Sequence, residues 1–150
     1  MVNISTYSIR VVKESGGRYN LDNKRASSPQ NAVKIFNEVF EMDSRAEEVL
    51  ALMTLDTKNK VTGMFIVSQG SINASVVHPR EVYKRALLQN ASQIIIAHNH
   101  PSGDPNPSKE DINITKRLVE AGKLIGIDML DHIIIGDRKY ISLKDKGVII

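Results

Sequence analysis

The spacing of apolar residues changes period several times along the chain, and each change marks an element. From Ser28, the residues Ala32, Val33, Ile35, Phe36, Val39 and Phe40 recur at helical spacing. Ser28-Pro29 offers an N-cap and a first-turn proline, so a helix to about Glu41 is expected, with Glu38 and Glu41 facing solvent. Val49 to Leu55 is a nearly unbroken apolar run and predicts a central strand, closed by the polar turn Asp56–Lys60. Val61–Val67 predicts a second strand, Gly70 a turn, and Ile72–Val77 a third strand. His78-Pro79 starts another helix, with Val82, Ala86 and Leu87 as its buried face. Ile94-Ile95-Ile96-Ala97 is short, branched and bounded by polar residues, and so reads as a buried strand. Ile112, Ile114, Leu118, Val119 and Ala121 predict a helix over Lys109–Leu124, and Ile133–Ile135 and Tyr140–Ser142 predict two last strands. Before Ser28 the pattern is weaker. Residues 5–12 alternate loosely, Gly16-Gly17 suits a turn, and Arg18–Leu21 suits a returning strand, with Asp22–Ser27 as a loop. The expected organisation is a β-hairpin extension over residues 1–27, then one α/β (α+β) domain over residues 28–150.

Composition narrows the chemistry. A chain of 150 residues is enough for one domain with a real core, and its 41% hydrophobic and 25% charged residues are those of a soluble globular protein. With no cysteine there is no disulfide, no thiolate ligand and no cysteine nucleophile, so any metal must be held by histidines and carboxylates. No run approaches the roughly 18 apolar residues of a membrane span, and Met1–Ser5 lacks the features of a signal peptide. A cytoplasmic protein without a membrane partner is expected. Twenty basic residues against 17 acidic ones is too small an excess to indicate nucleic-acid binding.

The richest chemistry lies between His98 and Asp111. In an extended strand, residues i and i+2 share a face, so His98 and His100 leave the strand end together and Asn99 points away. Pro101, Gly103, Pro105 and Pro107 then impose a stiff, non-helical loop. Ser108 opens the next helix and Asp111 falls in its first turn, a pattern that also fits a capping box. Two imidazoles and one carboxylate make a three-ligand set of the kind that suits catalytic zinc, leaving a fourth position for water. Other histidines read more simply. His78 suits helix capping or surface contact, and His132 suits a hydrogen-bonded structural role or support for a metal-ligating histidine. The pairs Lys84-Arg85 and Lys116-Arg117 read as solvated helix faces.

His-x-His, seven residues, Ser, two residues, Asp resembles the JAMM metalloprotease signature from His98 to Asp111. "AHNHPSGDPNPS", "LDTKNKV" and "DHIIIGDRKY" resemble the RadC-like branch of that superfamily, over about Glu47 to Gly147. The resemblance implies a cytidine-deaminase-like JAB/MPN fold, a mostly antiparallel mixed sheet flanked by about three helices. It also implies one zinc ion on His98, His100 and Asp111, and hydrolysis of a peptide or isopeptide bond by a metal-activated water. That pattern places a catalytic glutamate just before the strand carrying "LDTKN", which selects Glu48 over Glu47, and gives Ser108 the stabilisation of the oxyanion. The expected partner is a peptide or protein substrate. The RadC-like branch also carries a DNA-repair label, but no helix-hairpin-helix region fits before Ser28 and no ubiquitin-gripping insertion is evident. A DNA-associated genome-maintenance factor and a non-catalytic, metal-stabilised binding module are the alternatives, and a homodimer is compatible with either. The literal "HNH" at 98–100 is no HNH nuclease signature, because that motif's residues lie far apart in sequence.

Overall fold

The computed structural model describes residues 1–72 and 77–150. Helix α1 (Pro29–Phe40) begins where Ser28 accepts the Asn31 N–H on its hydroxyl, at 3.2 Å. It ends at Glu41 in a left-handed conformation, and a 3-10 turn over Met42–Ser44 follows. Strands β1 (Val49–Leu55) and β2 (Val61–Gln69) form an antiparallel pair. Helix α2 (Pro79–Leu88) leads to β3 (Gln93–Asn99), and α3 (Lys109–Ile125) leads to β4 (Asp128–Ile135) and the short β5 (Tyr140–Ser142).

Among the described residues five strands are ordered β2-β1-β3-β4-β5, with β3–β4 parallel and the other pairs antiparallel. The parallel pair needs a crossover, which α3 supplies. Every residue of β1 is buried, as a strand covered on both faces requires. Val49, Ala51, Met53 and Leu55 turn to the α1 layer with Ala32, Ile35 and Phe36. Leu50 and Leu52 turn the other way, to Val82, Tyr83, Ala86, Ile114 and Leu118 of α2 and α3. The same alternation in β3 gives Ile95 and Ala97 to the α1 side and Ile94 and Ile96 to the α2/α3 side. His98 therefore emerges toward α3 and Asn99 toward α1.

The mixed α/β architecture and mostly antiparallel sheet with three helices match expectation, while three local readings do not. Residues 1–19 form neither helix nor strand, so the hairpin expected over residues 5–21 is not made. An isolated two-stranded ribbon is marginal, and here Tyr7, Ile9 and Val12 stay exposed. The loop expected over Asp22–Ser27 instead pairs with the β1–β2 turn: Val61 N–H donates to the Lys24 carbonyl and Ala26 N–H to that of Asn59. On α2, Leu87 is 52% exposed, and Tyr83 takes the core position because its hydroxyl donates to the Leu118 carbonyl at 2.7 Å. Most of the third strand expected at Ile72–Val77 lies outside the described residues, and its ends, Ile72 and Val77, are not in a strand.

Candidate metal centre

Four elements deliver side chains to one point at the carboxyl end of β3. His98 is the penultimate residue of β3, fully buried and paired in register with Leu50 of β1 and Ile134 of β4. His100 lies just past the strand, tied by its backbone N–H to the Ile135 carbonyl at 2.9 Å. The two Nε2 atoms are 3.0 Å apart. Asp111, in the first turn of α3, brings Oδ1 to 3.2 Å from His98 Nε2 and Oδ2 to 3.4 Å from His100 Nε2. A carboxylate oxygen of Glu48, just before β1, lies within 4.8 Å of a ring nitrogen of each histidine.

Each group is held from behind. The capping box of α3 is complete: the Ser108 hydroxyl accepts the Asp111 N–H at 3.1 Å, and Asp111 Oδ2 accepts the Ser108 N–H at 2.8 Å. That bond uses an oxygen lone pair of Ser108 and leaves its hydroxyl hydrogen available. Glu48 Oε2 accepts the Ile72 N–H at 2.9 Å, and the Glu48 carbonyl accepts the Gly70 N–H. Asn99 brackets Glu48 from the opposite face of β3. Its Oδ1 accepts the Val49 N–H at 2.7 Å and its Nδ2 donates to the Glu47 carbonyl at 2.9 Å. Glu47 itself is exposed. The loop between His100 and Ser108 is stitched to the β4–β5 turn, where Asp137 N–H donates to the Gly103 carbonyl. A Cβ on Gly136 would run into that carbonyl, so only glycine allows the approach.

The donor atoms of this cluster could hold a cation. His100 Nδ1 lies 2.8 Å from the Asp104 carbonyl, which can only accept, so Nδ1 carries a hydrogen and Nε2 is the atom turned inward. Burial pushes the Asp111 carboxyl up, but the imidazoles of His100 and His98 beside it outweigh burial and hold Asp111 well below the usual carboxylate range. The Asp111 carboxylate in turn raises the His100 imidazole, against the effect of burial. Ligand atoms about 2.0–2.1 Å from a tetrahedral ion sit roughly 3.3 Å from one another. The separations of 3.0, 3.2 and 3.4 Å here fit that edge, and two nitrogens with one carboxylate suit a borderline-soft divalent ion.

Behind His98 stands a residue the ion would not touch. His132 of β4 is buried, with Nε2 2.7 Å from His98 Nδ1 and Nδ1 2.6 Å from the Thr115 hydroxyl of α3. Burial drives its imidazole well below the ordinary value. Thr115 is absent from the sequence expectations, although it lies one helical turn after Asp111 and one before Leu118, on the buried face. His78 stays apart as the N-cap of α2, where its Nδ1 accepts the Arg80 N–H at 3.1 Å. The structure brings His98, His100 and Asp111 close together with Glu48, the residue selected by the resemblance, beside the histidines; the bracket by Asn99 and the contact between Thr115 and His132 were not among the sequence expectations.

Comparison with known sequences identifies the family. A family described as the RadC-like JAB domain matches residues 26–148, starting at Ala26, the first buried residue of the chain. A UPF0758 protein of Methanosarcina mazei is 51% identical over 126 residues, covering 84% of this chain and 54% of the relative. One from Methanosarcina acetivorans is 57% identical over 108 residues, covering 72% and 47%. One from Clostridium beijerinckii is 51% identical over 125 residues, covering 83% and 54%. The chain spans about half the length of the curated relatives it matches. On the strength of a match running nearly end to end through the folded part, this chain belongs to the family of RadC-like JAB domains.

Proposed function

We propose that this site is the centre of a zinc-dependent hydrolase that cleaves a peptide or isopeptide bond. The observation that carries the reading is the convergence of His98, His100 and Asp111 at ligand-like separations, with the carboxylate of Glu48 beside them. His98 Nε2, His100 Nε2 and the Asp111 carboxylate would hold the ion. When bound, zinc supplies Lewis acidity that brings the ionisation of water from about 15.7 into the neutral range, near 7.

The remaining chemistry belongs to the protein. Glu48, held by Ile72 N–H at Oε2 and by the Asn99 bracket on its backbone, takes a proton from the attacking water. It then delivers that proton to the leaving amine nitrogen. Ser108, whose hydroxyl hydrogen is not used by its cap, donates to the carbonyl oxygen as negative charge builds there. The loop from Pro101 to Pro107 walls one side of the site. Strand β2 forms an edge of the sheet next to β1, which is where an extended peptide would add its own backbone pairing.

The test is metal analysis of the purified protein, then a peptide-library screen run beside Glu48→Gln. The expected result is stoichiometric zinc in both proteins and cleavage that falls about 10²–10⁴-fold in the variant. Zinc uptake with raised thermal stability, and no cleavage by either protein, would assign the site to a metal-stabilised binding module instead.

A further inference from the structure

We propose that His132 and Thr115 are positioning residues that fix the tautomer of His98, so that Nε2 presents its lone pair to the metal. The proposal rests on the reading of His98 as a metal ligand. It follows from counting hydrogens along one buried chain of contacts. The Thr115 hydroxyl lies 2.6 Å from the Asp111 backbone carbonyl, which can only accept. The single hydroxyl hydrogen must therefore point there, since two bare oxygens at that distance would repel. The Thr115 oxygen is then an acceptor toward His132 Nδ1, at 2.6 Å, and Nδ1 must carry a hydrogen.

His132 is 1% exposed, and among the described residues its ring hydrogen-bonds only to His98 and Thr115. A second ring proton would make it a buried cation with no carboxylate hydrogen-bonded to it there, so Nε2 is bare. At 2.7 Å from His98 Nδ1, that bare nitrogen needs a donor, and His98 must supply it from Nδ1. A neutral imidazole has one N–H, so the lone pair of His98 is left on Nε2, the atom facing His100 and Asp111. Histidine ligands commonly hand their outer N–H to a carboxylate or a carbonyl. Here the acceptor is another histidine, whose own tautomer is set by a hydroxyl anchored to the helix that also carries Asp111. The carbonyl of one proposed ligand thus sets the tautomer of another, through three hydrogen bonds running from α3 to β4 to β3.

Thr115→Val is the informative substitution. It keeps the shape of the side chain but removes the acceptor for His132 Nδ1, so that His132 is free to protonate at Nε2 and force the proton of His98 onto the inward nitrogen. Long-range 1H–15N correlation spectra of the metal-free protein distinguish protonated from bare ring nitrogens. They should show Nδ1–H and bare Nε2 on both His98 and His132 in the parent. Competition against a chromogenic chelator should show zinc binding weakened about 10–100-fold in Thr115→Val and restored to within about threefold of the parent in Thr115→Ser. A bare Nδ1 on His98 in the parent, or parental zinc affinity in a folded Thr115→Val, would overturn the proposal. Should the parent take up no zinc, the metal reading fails on its own, and the ring-nitrogen spectrum of the parent still decides the tautomer.

Discussion

Asn99 closes β3 with its side chain where a backbone would otherwise have to continue. The β1–β3 ladder ends at Leu50 opposite His98, and one step further the Asn99 carboxamide offers an acceptor to Val49 and a donor to Glu47. The peptide units on both sides of Glu48 are thereby anchored to the strand that carries the histidines. Asn99→Ala would leave the Val49 N–H and the Glu47 carbonyl without this partner, at a cost of about 1–3 kcal/mol in unfolding free energy. Zinc affinity should change little while kcat falls, because the histidines keep their place and Glu48 loses its own. Calorimetric titration with zinc, alongside steady-state kinetics, separates the two effects.

At the same scale, two imidazoles give the metal-free protein a pH signature. His132 is depressed by burial, so below about pH 6.5 the unfolded chain takes up a proton that the folded chain refuses, and stability falls as pH drops. The slope approaches about 1.4 kcal/mol per pH unit. His100 is raised by Asp111, so its stabilisation is complete below about 6.5 and is lost as pH rises through the folded value. That limb is shallower because the ring is partly solvated and screened by salt. Thermal melts of the chelated protein should therefore peak near pH 6.5 and decline on both sides. A steady climb from about pH 5 to about pH 8 would contradict the assignment.

Among the elements, α3 carries two duties at its first turn. Ser108 caps the helix and is also the proposed oxyanion donor, and two substitutions tell these duties apart. Glycine is a tolerable N-cap, within a few tenths of a kcal/mol of serine, whereas alanine costs about 1 kcal/mol. Ser108→Gly and Ser108→Ala should thus differ in melting temperature yet lose turnover equally, if the hydroxyl acts on the substrate. Unequal turnover that tracks stability would assign Ser108 to the cap alone. Much at this scale was readable from sequence because it rests on local chemistry. The caps at Ser28, His78 and Ser108, the buried run of β1 and the period-two placement of His98 against Asn99 all follow from a few neighbouring residues. Partnership across the fold was not readable. Tyr83 displaces Leu87 from the core only because the Leu118 carbonyl lies above it, and Thr115 matters only because β4 sets His132 beside α3. The alternation in residues 5–12 was real, yet a strand requires a neighbour, and none is provided among the described residues.

For the molecule as a whole, most stability should come from the two apolar layers, with the metal adding to it. With free zinc a hundredfold above its Kd, binding adds about 2.7 kcal/mol. That corresponds to a rise of roughly 5–10 °C in Tm for a chain of this size, removed by chelator. Deleting residues 1–18, by contrast, should leave Tm within about 1–2 °C, since this segment adds no strand to the sheet. No helix among the described residues is long and apolar enough to cross a membrane.

The neighbouring positions of His98 and Asn99, on opposite faces of one strand, make the centre a proofreader of its own sheet. Slipping β3 by a single residue against β1 would send the imidazole into the α1 layer and the carboxamide toward α3, and both jobs would fail at once. On the proposed reading, only a chain that has paired correctly would capture the ion. Zinc uptake during refolding should lag strand formation, and misregistered molecules should be marked by their failure to load.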